Sequence, residues 1–412
     1  MRRLAPEYRV LLWMCVLIAV NQLGFGSVVP VAPLYAASFG VPTSAIGLTI
    51  ALYGLARFLF AVPSGRLADR AGRRITLALG GLVTVAGNAL CAVAPSYELF
   101  LAARFVAGAG AALVITAAQI VLADISAPSQ RGRFMGIYSG VFAFAVGAGP
   151  YPGGLLAEHY GLTAPFVAYA ALAGVVAALA WLKVPETRDS SFARGASVAR
   201  APGFLAQLRL LSLSTGFMLV SFIGFAAAVA RTGAVFNVIP VMVTDRLSLA
   251  PDQIGLGLSL VSLGGLLLAY PSGVLVDRLG RKAVIVPATA LAGLAAALFA
   301  VVPDYAWFIA ACALWGVALG ITSDAPGAYC ADIAPPGMNA AVMSTYRMLS
   351  DAGYVLGPLV LSIIAGTLGA PIALTLTGLL VLTSAVLFGV YAPETYRPSH
   401  SIDVVESAPG KP

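Results

Sequence analysis

The chain has 412 residues, of which 60% are hydrophobic and 10% charged, with a formal net charge of +7. A soluble domain carries about 25% charged residues, so this chain cannot cover a globular surface with polar groups and lipid must be its main solvent. Its basic residues are scattered over short connections, which is not a nucleic-acid signal.

Apolar runs of bilayer-crossing length, about 20 residues, recur along the whole chain. Helices satisfy their own backbone hydrogen bonds in lipid, and the runs lack the alternating polarity of membrane β-strands. Twelve spans are predicted, near 10–33, 45–64, 75–94, 99–123, 134–157, 164–183, 213–243, 254–275, 283–302, 305–331, 340–366 and 370–392. The first exceeds a signal-peptide core and lacks a cleavage site, so it reads as a retained helix. Of the 24 Lys and Arg, nineteen fall in segments on one side of the membrane and Arg246 on the other; Arg57, Arg104, Arg231 and Arg347 fall within spans. The positive-inside rule then puts both termini in the cytoplasm, in an inner or plasma membrane. Residues 184–212 read as a flexible cytoplasmic linker between an N-terminal half (1–183) and a C-terminal half (213–392), and 393–412 as a disordered cytoplasmic tail. Cys15, Cys91, Cys312 and Cys330 all lie in apolar runs and read as small buried hydrophobes.

The halves repeat each other at a fixed offset of 208. Gly65, Leu67, Asp69, Arg70, Gly72 and Arg73 return as Gly273, Leu275, Asp277, Arg278, Gly280 and Arg281, in a charged loop between apolar runs. Gly47, Pro63, Gly108, Asp124, Tyr138, Gly149 and Pro150 return as Gly255, Pro271, Gly316, Asp332, Tyr346, Gly357 and Pro358. A shift of six helices restores the same orientation. The halves are therefore parallel repeats about an axis normal to the membrane, with a substrate site expected near the midplane between them.

These motifs resemble the major facilitator superfamily, over essentially the whole chain. The loop at 65–77 looks like its signature between helices 2 and 3. Leu101, Arg104, Gly108 and Gly110 resemble the fourth-helix signature, and Gly149, Pro150, Gly153 and Gly154 the fifth-helix signature of twelve-helix drug–proton antiporters, although the glycine expected four residues before Gly149 is Ala145. The implied fold is an all-α membrane protein of twelve transmembrane helices in two six-helix repeats.

The resemblance gives Asp69 a place at the N-terminus of helix 11 in an outward-facing state, where the helix dipole favours a carboxylate. Arg73 would bridge Asp69 to Asp124, and Asp277, Arg281 and Asp332 would repeat the triad, together forming an interdomain latch. The alternative is a static loop whose charges fix topology. Gly65 and Gly72 would allow a tight turn. Gly149, Pro150, Gly153 and Gly154, with Gly357 and Pro358 in helix 11, read as a helix-bending seal or as a plain packing kink.

Charges inside the membrane are functional candidates by default. Asp324 and Asp351 are the acids well inside spans, and burial raises a carboxyl pKa towards neutrality; with Arg104, to which the resemblance gives a proton-coupling role, they are the proton-coupling candidates. Arg104 could equally be structural, bonded to carbonyls of helix 1. Arg57, Asp351 and Arg347 are predicted to form an ion cluster across the helix 2–helix 11 interface. Asn21, Gln22, Gln119, Tyr138, Arg231, Asn237, Asp324 and Tyr346 are the candidate substrate-cavity residues. Helix 1 has no acid, and mid-span arginines outnumber aspartates, which favours an anionic or electron-rich substrate group unless carbonyls and water satisfy the surplus. His159 and His400 lie in an outer loop and the tail, and neither a catalytic constellation nor a phosphate-binding loop is legible. The expectation is therefore a monomeric transporter without cofactor or metal, not an enzyme. It would export hydrophobic small molecules in exchange for protons. Proton-coupled uptake of a small organic solute and a non-transporting sensor on the same scaffold are the alternatives.

Overall fold

The computed structural model describes residues 6–126, 130–187, 211–322, 325–335 and 339–395. Twelve helices among them are long and apolar enough to cross a membrane. They are α1 (Pro6–Ser38), α2 (Thr43–Ala71), α3 (Arg73–Ala92), α4 (Tyr97–Ile125), α5 (Arg131–Ala148, continued as Pro150–Tyr160), α6 (Ala164–Lys183), α7 (Thr215–Leu247), α8 (Pro251–Leu279), α9 (Arg281–Phe299), α10 (Tyr305–Thr322, continued as Ala325–Ile333), α11 (Asn339–Leu368) and α12 (Ala370–Tyr391). All twelve predicted spans are present, with ends displaced by a few residues. The internal irregularities fall at proline or glycine. α1 turns at residues 29–31, around Pro30. α7 passes through a π-helical segment, Ala230–Val238, just before Pro240.

The helix pairings carry the duplication. In the first half α3 packs on α4 and α6, α2 on α4, and α1 on α5 and α6. In the second, α9 packs on α10 and α12, α8 on α10, and α7 on α11 and α12. Each pair recurs six helices later. The peripheral α3, α6, α9 and α12 expose apolar side chains such as Leu82, Val167, Leu294 and Val386, as a lipid-facing surface requires. All four cysteines are free and buried.

Two seams join the halves, α2 with α11 and α5 with α8, and they too are equivalent under the repeat. In one, Gly47 abuts the Pro358 carbonyl; in the other, Gly255 abuts the Pro150 carbonyl. A Cβ at either glycine would overlap the opposing backbone, so only glycine permits this approach. The seam contacts extend to Gly54 with Tyr354, Gly147 with Ser262, Gly154 with Pro251 and Gly366 with Ser44. All lie in the half of the bundle away from the charged loops. Towards those loops Phe58, Leu59 and Val62 of α2 and Leu263, Leu267 and Leu275 of α8 are exposed. The halves thus close at one end and diverge at the end bearing the charged loops.

The loop expected over 65–77 is shorter than predicted. α2 continues to Ala71 and α3 begins at Arg73, leaving Gly72 as the turn. Gly72 has φ 103° and its counterpart Gly280 φ 96°, a region L side chains rarely enter. Gly65, read as part of the turn, lies inside α2. The charged residues 66–70 lie past the apolar stretch, so they prolong the helix out of the apolar layer instead of unravelling it.

Candidate functional site

The first region of interest is the charged turn. Arg73 is buried, and its Nε donates to Asp124 Oδ2 at 2.9 Å, its Nη1 to the Ala68 carbonyl at 3.0 Å, and its guanidinium pairs with Asp69 at 3.3 Å. Arg73 therefore does bridge Asp69 to Asp124. In the second half Arg281 Nε donates to Asp332 Oδ2 at 2.8 Å; Asp277 lies on α8, and its side chain is outside the described set. The carboxyl of Asp69 is 69% exposed, and among the described residues its one ion pair is with Arg73 of its own half.

A further part of this cluster went unpredicted. The chain leaving α6 folds back onto the turn: the Arg73 and Arg74 amides donate to the Glu186 carboxylate at 3.0 and 3.2 Å, and Thr187 Oγ1 donates to Asp124 Oδ2 at 2.9 Å. A carboxylate at the N-terminus of α3 supplies acceptors that the first helical turn lacks. The chain leaving α12 does the same, with Thr395 Oγ1 donating to Asp332 at 2.9 Å and Tyr329 Oη to the Pro393 carbonyl at 2.9 Å. Pro185, Glu186 and Thr187 recur as Pro393, Glu394 and Thr395 at the same offset of 208, a signal present in the sequence. Residues 184–187 and 393–395 are thus docked, where a flexible linker and a disordered tail were expected. The rest of both segments, 188–210 and 396–412, lies outside the described residues.

The second region comprises a cavity within the C-terminal half and two smaller pockets between the halves. A cavity of about 350 Å³ is lined by Arg231 and Thr232 of α7, Thr289 of α9, Trp315 of α10, and Tyr346, Ser350, Asp351 and Tyr354 of α11. Arg231 sits at mid-span, where the π-helical segment begins, and is nonetheless exposed; at that depth exposure means facing the opening. Of the predicted cavity residues, Arg231 and Tyr346 line this space, together with the proton-coupling candidate Asp351. Asn21 and Gln22 are buried instead, hydrogen-bonded to each other at 2.9 Å. Tyr138 is buried in the apolar core of the first half. Asn237 is two turns further out, donating to Ser362 Oγ at 2.6 Å and lining a separate cavity of about 150 Å³ at the closed end. Gln119 is half-buried and lines none of these cavities. Asp324 lies outside the described residues.

The predicted ion cluster is not closed. Among the described residues neither Arg57 nor Arg347 forms an ion pair with Asp351. Arg57 lies over the Tyr354 ring, 5.4 Å from its centroid, and Arg347 is exposed. An aromatic face competes for a guanidinium at low cost in desolvation. Arg104 is treated alike: it is buried, stacks over Tyr53 at 4.5 Å, and its one hydrogen bond, 3.4 Å, goes to the Thr49 carbonyl of α2, not to α1. Arg231 lies 5.5 Å from the Phe236 ring centroid. Tyr53, Phe236 and Tyr354 are the residues that sequence reasoning passed over as packing.

The glycine–proline motif of α5 lies at the junction of three helices. Gly149 and Gly153 press on Gly26 and Ser27 of α1, and Gly154 on Pro251 of α8. α5 is interrupted at Gly149, whereas α11 runs unbroken through Gly357 and Pro358. An interruption of the helix accompanies the motif only in α5.

A twelve-helix bundle of two equivalent halves, joined at one end and with charged side chains facing cavities at mid-span, is the architecture of a membrane transporter. The profile of the Major Facilitator Superfamily matches residues 14–242 and 220–410, and the chain belongs to that family. It is 31% identical over 244 residues to the inner membrane transport protein YajR of Escherichia coli, covering 56% of this chain and 51% of that protein. It is 29% identical over 136 residues to the quinolone resistance protein NorA of Staphylococcus aureus, covering 33% of this chain and 35% of that protein. The matched stretches thus span about half the length of these relatives or less. Among solved structures, an inward-facing, unoccupied bacterial homologue of the human lysosomal transporter Spinster superposes with TM-score 0.77 at 17% identity, covering 94% of this chain and 97% of that one. A D-xylose–proton symporter superposes with TM-score 0.74 at 15% identity, covering 95% and 99%. At such identities the likeness is one of fold.

Proposed function

We propose that the protein is a proton-coupled secondary transporter that exports small amphipathic molecules by alternating access. The observation that carries this reading is the pair of equivalent glycine–proline seams closing one end, with Arg231 and Asp351 standing at mid-span where the halves diverge. Rocking about those seams would expose the cavity to each side in turn. The basic loop end is the cytoplasmic one, by the distribution of Lys and Arg, so the conformation described is inward-facing. Asp69, paired with Arg73 within its own half and exposed here, would meet the opposite half when the protein opens outward. Asp351 is the proton carrier among the described residues. Kinship with a quinolone resistance protein and the interrupted α5 support export by exchange. A second reading, uptake together with a proton, is favoured by the arginine-rich cavity and the absence of an acid in helix 1.

Proteoliposomes with an acid lumen and a panel of lipophilic cations, neutral compounds and organic anions outside test both. Substrate-triggered proton release that vanishes in Asp351→Asn supports exchange. Proton and substrate moving in the same direction overturns export in favour of uptake, and no coupled flux with any compound overturns the transport reading.

A further inference from the structure

Resting on the transporter reading, we propose that the substrate carries an anionic group, received by Arg231 with Arg57 and Arg104, while its apolar part lies against Tyr354, Phe236 and Trp315. Among the described residues none of these arginines forms an ion pair with a carboxylate. Each lies instead over an aromatic ring: Arg57 over Tyr354, Arg104 over Tyr53, Arg231 over Phe236. Stacking occupies the face of a guanidinium and leaves its in-plane N–H donors directed outwards. Nη1 of Arg104 is buried with no hydrogen-bond partner among the described residues. A buried donor without an acceptor is costly, and a bound oxyanion would satisfy it.

Arg104 and Arg231 line adjoining cavities, and Arg57 lies over Tyr354, a wall residue of both. Arg104, Phe236 and Tyr354 line one narrow pocket between α1, α2, α4, α7 and α11. Arg231 and Phe236 line a second beside it, with Trp315. Arg231, Trp315 and Tyr354 line the 350 Å³ cavity, which is of a size for a small organic molecule. Tyr354 thus touches Arg57 and borders the other two arginines. Against these three positive groups the lining of the cavities contains, among the described residues, a single carboxylate, Asp351. Unbalanced positive charge at membrane depth is expensive; an anionic group makes good the balance, and a cationic one worsens it. The π-helical segment fits the same purpose. Non-α backbone inside a membrane is tolerated where it lines a cavity, and here it holds both Arg231 and Phe236.

The experiment uses the full chain in nanodiscs, with Trp13, Trp181 and Trp307 replaced by Phe so that Trp315 fluorescence reports occupancy. Three probes share one ring system: a naphthalene sulfonate, the uncharged naphthalene sulfonamide and a naphthylmethyl trimethylammonium. The sulfonate is expected to bind about tenfold or more tightly than the sulfonamide, the worth of one charge-assisted hydrogen bond. Arg231→Gln is expected to abolish that preference while leaving sulfonamide binding in place, which also reports that the variant is folded. Arg231→Lys should restore part of it. Equal binding of sulfonate and sulfonamide, or tightest binding of the ammonium, overturns the proposal. Movement of the same probes into proteoliposomes separates it from the reading beneath. If the ammonium is transported and the sulfonate neither binds nor moves, the anion site falls and transport stands. If the sulfonate binds through Arg231 and no probe moves, the site stands and the transport reading falls.

Discussion

The charged turns and the central cavity are built on opposite plans. Every element of the turn is duplicated: Gly72 with Gly280, Arg73 with Arg281, Asp124 with Asp332, Thr187 with Thr395. In the cavity nothing charged is duplicated. At the offset of 208 Arg57 corresponds to Gly265, Arg104 to Cys312, Arg231 to Leu23 and Asp351 to Ala143. Motion between two equivalent bodies needs the same hinge and catch in each, so those residues recur. Recognition of an asymmetric solute needs groups placed once. The internal repeat therefore separates machinery of movement from machinery of binding.

Arg73→Ala should break the comparison most strongly. It leaves Asp124 buried without its guanidinium, and the loss of one partner of a buried pair costs about 3–5 kcal/mol. A large fall in the thermal unfolding midpoint of the detergent-solubilised protein, with transport abolished, is expected. Arg281→Ala tests whether the two turns are equal. Its ion pair with Asp332 is more exposed, 19% and 30% against 9% and 8% for Arg73 and Asp124, so the expected cost is only about 1 kcal/mol. Gly47→Val and Gly255→Val act on the seams. Overpacking costs about 1–3 kcal/mol, here only in the state closed at that end, so the open-outside population should rise about tenfold or more, read by cross-linking between α2 and α11. The least effect on stability belongs to the cavity. Arg231→Gln should change the unfolding free energy by about 0.5 kcal/mol or less, being an exposed side chain held, among the described residues, only by the face of Phe236, yet lower substrate affinity. If Arg231→Gln unfolds the protein instead, the division between moving and binding parts is wrong.

What the sequence disclosed and what it hid follow the same division. The twelve spans were legible because length and apolarity in lipid leave little choice. The first triad was legible through the family resemblance, and the repeat carried it to the second half. The cavity was not, because whether Arg57 meets Asp351 or Tyr354 depends on rotamers and on a helix contact that has no local signature. The partner of Asn237 was hidden for a similar reason: polarity in a span says that a partner exists, not which one, and Ser362 lies 125 positions away. Asn21 donates to Gln22, and both are buried away from the cavities. The docking of Glu186 and Thr187 was legible in principle, since Pro393, Glu394 and Thr395 repeat the triplet, but polarity and proline there were read as disorder.

The burial of all four native cysteines makes the protein nearly silent to water-soluble thiol reagents as it stands. Reporter thiols can therefore be introduced one at a time without stripping the natural ones, whose replacement would leave holes in tightly packed helices. A cysteine at Phe58 or Leu267 would be labelled at the rate at which the charged-loop end is open, and one at Ser44 at the rate at which the opposite end parts. The chain carries, unaltered, the blank background that such kinetic measurements of opening require.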